Sequence, residues 1–125
     1  MNSRRKGKDG EGELAKELRK YGYDAHRGQQ YSGLMGDADV VGVDGIHIEC
    51  KRTEQVRDEV FLQQAERDAR KGNIPIVFYR RNREDWKVAL RMNMFMLIWN
   101  ELTDLQKEKI REKVKLSVKP NKIGK

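Results

Sequence analysis

A single cysteine and two prolines stand in a chain of 125 residues. Cys50 has no second thiol with which to close an internal disulfide, and one thiolate cannot make a zinc site. Neither a disulfide framework nor Cys-rich metal binding therefore holds the fold. Aromatic residues are scarce at 7%, and no apolar run approaches the roughly 20 residues of a membrane span. The mean hydropathy of −0.92 agrees, and a soluble protein with no membrane partner is expected. Met1-Asn2-Ser3-Arg4-Arg5-Lys6 opens no apolar signal segment, which predicts a cytoplasmic location. Internal repeats, a Gly-rich phosphate loop and a paired-His motif are all missing. What remains is a 14.7 kDa chain of a size that builds one hydrophobic core.

Charge is abundant. The net charge is +7, and it is concentrated at the ends: residues 1–8 carry +4, residues 104–125 carry +5, and the stretch between them is left at −2. A slightly acidic middle between basic ends suits a protein that holds a nucleic-acid backbone with its periphery and keeps carboxylates inside. Basic tails also serve solubility alone, and charge does not separate the two readings.

Leu14, Ala15, Leu18 and Tyr21 recur at helical spacing and predict a helix over 11–21 closed by Gly22. A short strand over 23–27 and a Gly, Gln and Ser-rich loop over 28–36 follow. Two strands, 38–43 and 46–51, then flank the Asp44-Gly45 turn as a hairpin. A helix over 57–71 and strands over 75–80 and 86–91 complete the order αβββαββ. Met92 to Trp99 is an apolar stretch compatible with a short helix, although Met92, Met94 and Met96 equally fit strand alternation, and core packing is its expected role. Thr103-x-x-Gln106 is a capping-box spacing that opens a last helix over 104–116, and the 119–125 tail is expected to be disordered.

Chemistry concentrates on the hairpin. Strand alternation turns Ile46, Ile48 and Cys50 one way and His47, Glu49 and Lys51 the other. Asp37 and Asp39 share a face of the preceding strand, so the turn brings Asp39 beside Glu49. Two carboxylates so placed repel, and a hard divalent cation taking oxygen ligands from both relieves the repulsion. Lys51 lands beside the same spot, where its ammonium can help to deprotonate a water or stabilise a displaced phosphodiester oxygen. As plain surface charges, Asp39 and Glu49 would instead be balanced by Lys51 and Arg52 and contribute little.

The spacing Asp39-(nine residues)-Glu49-Cys50-Lys51 resembles the D…(D/E)-x-K signature of the PD-(D/E)XK nucleases, with Ala38 where a proline often stands. Glu11 to Tyr23 is similar to the first helix of archaeal-type Holliday junction resolvases and their phage relatives. In these, an acid stands seven positions before a leucine, as Glu11 does before Leu18; Glu13 is second in register. The His26 to Gly33 loop resembles the arginine-to-serine loop of such resolvases, and Phe61 to Arg70, with Gln64, the helix after the E-x-K strand. The resemblance spans about residues 7–91.

It implies an α/β restriction-endonuclease-like fold, a mixed central sheet flanked by helices, with a nuclease domain over 1–99 (core about 7–91) and a basic helical extension over 100–125. The activity implied is Mg²⁺-dependent cleavage of DNA, with Mn²⁺ able to substitute, four-way junctions as the leading substrate, and a homodimer leaving 5′-phosphate ends. Glu11, Asp39 and Glu49 would ligate the metal and Lys51 would assist attack. Arg4, Arg5, Lys6, Arg27, Ser32, Arg52 and Gln64 are candidate DNA contacts. Asp37 is an alternative ligand or a turn residue, His47 a spectator facing the site, Cys50 an inert core thiol, and Arg80, Arg81 and Arg83 a phosphate contact or a charged turn. Met94, Phe95, Leu97, Ile98 and Trp99 offer a dimer face. Two other readings stay open: a nuclease of the same fold acting on linear, nicked or flap DNA, and a non-catalytic basic nucleic-acid-binding module.

Overall fold

The computed structural model describes residues 3–28 and 38–117, with backbone alone for residues 3–6. Ser32, Asp37, most of the 28–36 loop, the 119–125 tail and the side chains of Arg4, Arg5 and Lys6 lie outside what is described. The chain forms two compact units, Met1–Arg91 and Met92–Lys125. Within the first unit the order is α1 (Ser3–Lys20), β1 (His26–Arg27), β2 (Val40–Val41), β3 (Ile46–Arg52), α2 (Asp58–Asp68), β4 (Ile74–Arg80) and β5 (Lys87–Ala89).

The five strands lie in sequence order in one mixed sheet. β3 and β4 are parallel, with α2 as their crossover, and the other neighbours are antiparallel. Because side chains alternate, each face of the sheet collects one helix. Ile48 and Val40, paired in register, pack with Leu14 and Ala15 of α1 and with Ala25. Val77, opposite Glu49 in the parallel register, packs with Leu62 and Ala65 of α2. Each of the larger aliphatic side chains contributes about 1.5–3 kcal/mol by leaving water.

α1 is longer than its periodicity predicts, starting at Ser3 rather than residue 11. Gly7 and Gly10 each weaken helix propensity by about 1 kcal/mol relative to Ala, which is why the sequence places the start after them. Tertiary contact overrides this at Gly10, which is buried; a Cβ there would run into Cβ (2.8 Å) and Cγ of Arg52. The missing side chain lets α1 cross the end of β3 closely. Gly22, at φ 98°, closes α1 in the left-handed conformation, its N–H donating to the Arg19 carbonyl. Tyr21 falls beyond the helix and is exposed, not on its apolar face.

The second unit holds α3 (Met92–Glu101) and α4 (Asp104–Ser117). The capping box is formed in both directions: Gln106 N–H donates to Thr103 Oγ1 at 3.1 Å, and Thr103 N–H donates to Gln106 Oε1 at 2.8 Å. The expected core role of Met92–Trp99 is not met, since no residue of α3 is buried. Phe95 stacks on Trp99 within the helix, but Phe95, Met96, Leu97 and Ile98 stay exposed. Two helices give an apolar stripe too little cover to make a core. The two compact units divide at 91/92.

Candidate active site

The site is built on β3 because this strand is bounded on both sides and carries alternating chemistry. His47 and Glu49 are almost fully buried, 2% and 3% exposed, on the α2 face. A buried carboxylate is expensive unless its charge is met. Lys51 Nζ stands 3.4 Å from Glu49 Oε2, and His47 Nε2 stands 3.8 Å from Oε1. Lys51 is held in turn by α2: its ammonium donates to Gln64 Oε1 at 3.0 Å and lies 5.1 Å from the centroid of the Phe61 ring.

Asp39 precedes β2 and faces Glu49 across the hairpin, because Val40 pairs with Ile48. Its Oδ2 accepts the Cys50 backbone N–H at 2.8 Å, tying it to the strand that carries Glu49. Cys50 points to the opposite face, among Leu14, Val40 and Ile48. Burial, then the negative charges of Asp39, Glu11, Glu49 and Glu13, push its thiol well above the ordinary range. The thiol stays protonated and serves packing.

Glu11 and Glu13 come from α1, on the other face of the sheet. Glu11 Oε1 accepts from Arg27 Nε at 3.1 Å, so the acid of α1 and the arginine of β1 are partners. Glu13 gathers Arg52 Nε and Arg80 Nη1, each at 3.1 Å. Arg52 further donates to Asn82 Oδ1 and the Arg80 carbonyl, and its side chain is 13% exposed. Arg80 and Arg81 similarly bond the Glu84 and Glu54 carbonyls, which makes this turn a structural one.

The structure thus brings together Glu49, Lys51 and Gln64, sets Asp39 opposite Glu49 in strand register, and leaves Glu11 with Arg27. Among the described residues no three His, Cys, Asp or Glu side chains converge as a closed metal cage. Magnesium does not require one: it keeps several waters and is bound through one or two carboxylates plus substrate phosphate oxygens. The hard oxygen donors of Asp39 and Glu49 fit it. Sequence reasoning missed Phe61, although Phe61 and Gln64 lie three apart and so share a helix face. It also missed how close His47 lies to Glu49.

A mixed sheet with helices on both faces and an acid-x-lysine strand at its centre, opposite an aspartate, defines the restriction-endonuclease-like fold of the PD-(D/E)XK nucleases. Residues 2–123 match the model of the family described as "Phage putative PDDEXK endonuclease", and the chain belongs to that family. No curated protein matches the sequence. Among solved structures it is similar to Hjc of Archaeoglobus fulgidus, a Holliday junction resolvase from an archaeal hyperthermophile. The two are 26% identical, with a TM-score of 0.47, over 64% of this chain and 72% of that one. PD-(D/E)XK nucleases use divalent metals, and no helix among the described residues is long and apolar enough to cross a membrane.

Proposed function

We propose that this endonuclease cuts branched DNA, four-way junctions foremost, in a reaction that depends on Mg²⁺ and tolerates Mn²⁺. The observation that carries the hydrolytic reading is Glu49: a carboxylate 3% exposed, with Lys51 at 3.4 Å and Asp39 facing it across the hairpin. Buried charges arranged in this way mark functional sites. The junction preference rests on the resolvase-like run from Glu11 to Tyr23 and the loop from His26 to Gly33.

In this mechanism Asp39 and Glu49 hold the metal, which when bound supplies an activated water and neutralises charge at the scissile phosphate. Lys51, steadied by Gln64 and Phe61, faces the phosphate and stabilises the charge that grows on its oxygens as the P–O bond breaks, leaving a 5′-phosphate. Glu11 would join through its partner: a backbone phosphate that drew Arg27 away would free the Glu11 carboxylate as a further oxygen donor. Arg4, Arg5, Lys6 and Ser32 contact the DNA backbone. A homodimer joined through the apolar face of α3 sets two sites on opposing strands, in the host cytoplasm.

The experiment compares wild type and Glu49→Gln on matched four-way, flap, nicked and linear duplexes with Mg²⁺. Expected are preferential cutting of the four-way substrate by the wild type, lost cleavage in the variant, and salt-sensitive binding in both. Equal cutting of all substrates would replace the junction preference with a general nuclease. Binding with no cleavage by the wild type would leave a basic binding module. A monomer by light scattering at micromolar concentration would remove the dimer.

A further inference from the structure

His47 has no place in the mechanism above, yet it is as deeply buried as Glu49. Its Nε2 is closed off from solvent and has no hydrogen-bond partner. Buried polar atoms are nearly always satisfied, so an orphan calls for an explanation. The one ion-pair distance His47 makes among the described residues is to Glu49 Oε1, at 3.8 Å, about an ångström beyond a hydrogen bond. Lys51 stands on the other oxygen. β3 alternation makes this geometry obligatory, since residues 47, 49 and 51 share one face. A hollow of about 260 Å³ is lined among others by Val40, Ile46, His47 and Arg70.

Resting on the metal-dependent nuclease reading, we infer that His47 is a positioning residue for Glu49: its Nε2–H closes onto Oε1 when the carboxylate takes up the metal, fixing the carboxylate's rotation. Carboxylate ligands are oriented in this way by a hydrogen bond from behind, and loss of such a partner lowers metal affinity about 10–100-fold. Lys51, which reaches out to α2 and solvent, is free for the phosphate because Glu49 is steadied from its buried side.

The test uses the full chain with His47→Leu, which keeps the volume but removes the donor, and His47→Gln, which returns an amide N–H near the Nε2 position. Mn²⁺ binding is measured by electron paramagnetic resonance without DNA, and kcat and KM for a four-way junction are measured in Mg²⁺. Expected is Mn²⁺ binding weakened about tenfold and kcat lowered about tenfold in His47→Leu, with KM and melting temperature held, and recovery of both losses in His47→Gln. Should His47→Leu fold poorly, His47→Asn, too short to reach Oε1, takes its place. His47→Leu behaving as wild type overturns the inference, as does His47→Gln being no better than His47→Leu, which would mean packing alone. In both cases wild-type cleavage and its loss in Glu49→Gln leave the nuclease reading standing. A wild type that neither binds Mn²⁺ nor cleaves fails that reading itself.

Discussion

The two faces of β3 are made by the same seven residues and end in opposite chemistry. Toward α1 the strand presents Ile46, Ile48 and Cys50, packed with Leu14 and Val40. Toward α2 it presents His47, Glu49 and Lys51, two of them buried as deeply as the core itself. Both faces exclude water, so burial does not distinguish packing from function here. The difference lies in what burial requires. The apolar face gains free energy from leaving water, and the polar face loses it unless every charge is met. The protein meets Glu49 with Lys51. A mutation on one face should therefore change stability, and one on the other should change activity.

The largest effect is expected at Lys51→Met. Removing the ammonium that meets Glu49 should, on the proposed mechanism, lower kcat by about 10²–10³-fold, checked by single-turnover cleavage beside thermal denaturation. A large loss of stability with no change in rate would erase the distinction between the faces. On the other side of the strand, Ile48→Ala should cost about 2–5 kcal/mol of stability in denaturant titration, because Ile48 is 1% exposed. The protein that remains folded should cleave at the wild-type rate.

The apolar face can be sharpened at its end, where α1 crosses Arg52. Gly12→Ala meets nothing within 4 Å and should stabilise by about 0.5–1 kcal/mol through helix propensity. Gly10→Ala meets the Arg52 stem and should destabilise, by about 1–3 kcal/mol, despite the same gain in propensity. Opposite signs from two nearby substitutions on one helix would establish the close crossing; equal signs would refute it.

The smallest effect concerns charge at the surface of α2. Arg91 bonds Glu59 at 2.8 Å and Glu66 at 2.9 Å, and these hydrogen bonds hold both carboxyls below the ordinary value of 4.5. A depressed folded-state value means that the contribution is present above about pH 4.5 and is lost as pH falls through the folded value. Arg91→Ala should flatten the acid limb of the stability profile slightly, and high salt should shrink the difference, since these groups are exposed. A wild-type and variant profile that coincide at low salt would show the clamp to be idle.

Much of this was legible in the residues alone. Alternation along 46–51 placed Glu49 and Lys51 together, the Asp44-Gly45 turn brought Asp39 opposite, and Thr103 with Gln106 marked the start of α4, because these signals depend on neighbours in sequence. Distant partners decided the rest. The helix runs through three glycines because Arg52, some forty residues away, needs the space at Gly10. Arg52 itself, a DNA contact by position, is drawn to Glu13, and Glu11 to Arg27. The Met92–Trp99 run is apolar enough for a core, yet no residue of it is buried. Local pattern fixes which way a side chain points, through backbone sterics that act over a few residues. Which groups it meets, and which charge goes unanswered, depends on contacts that form only when the chain has closed on itself.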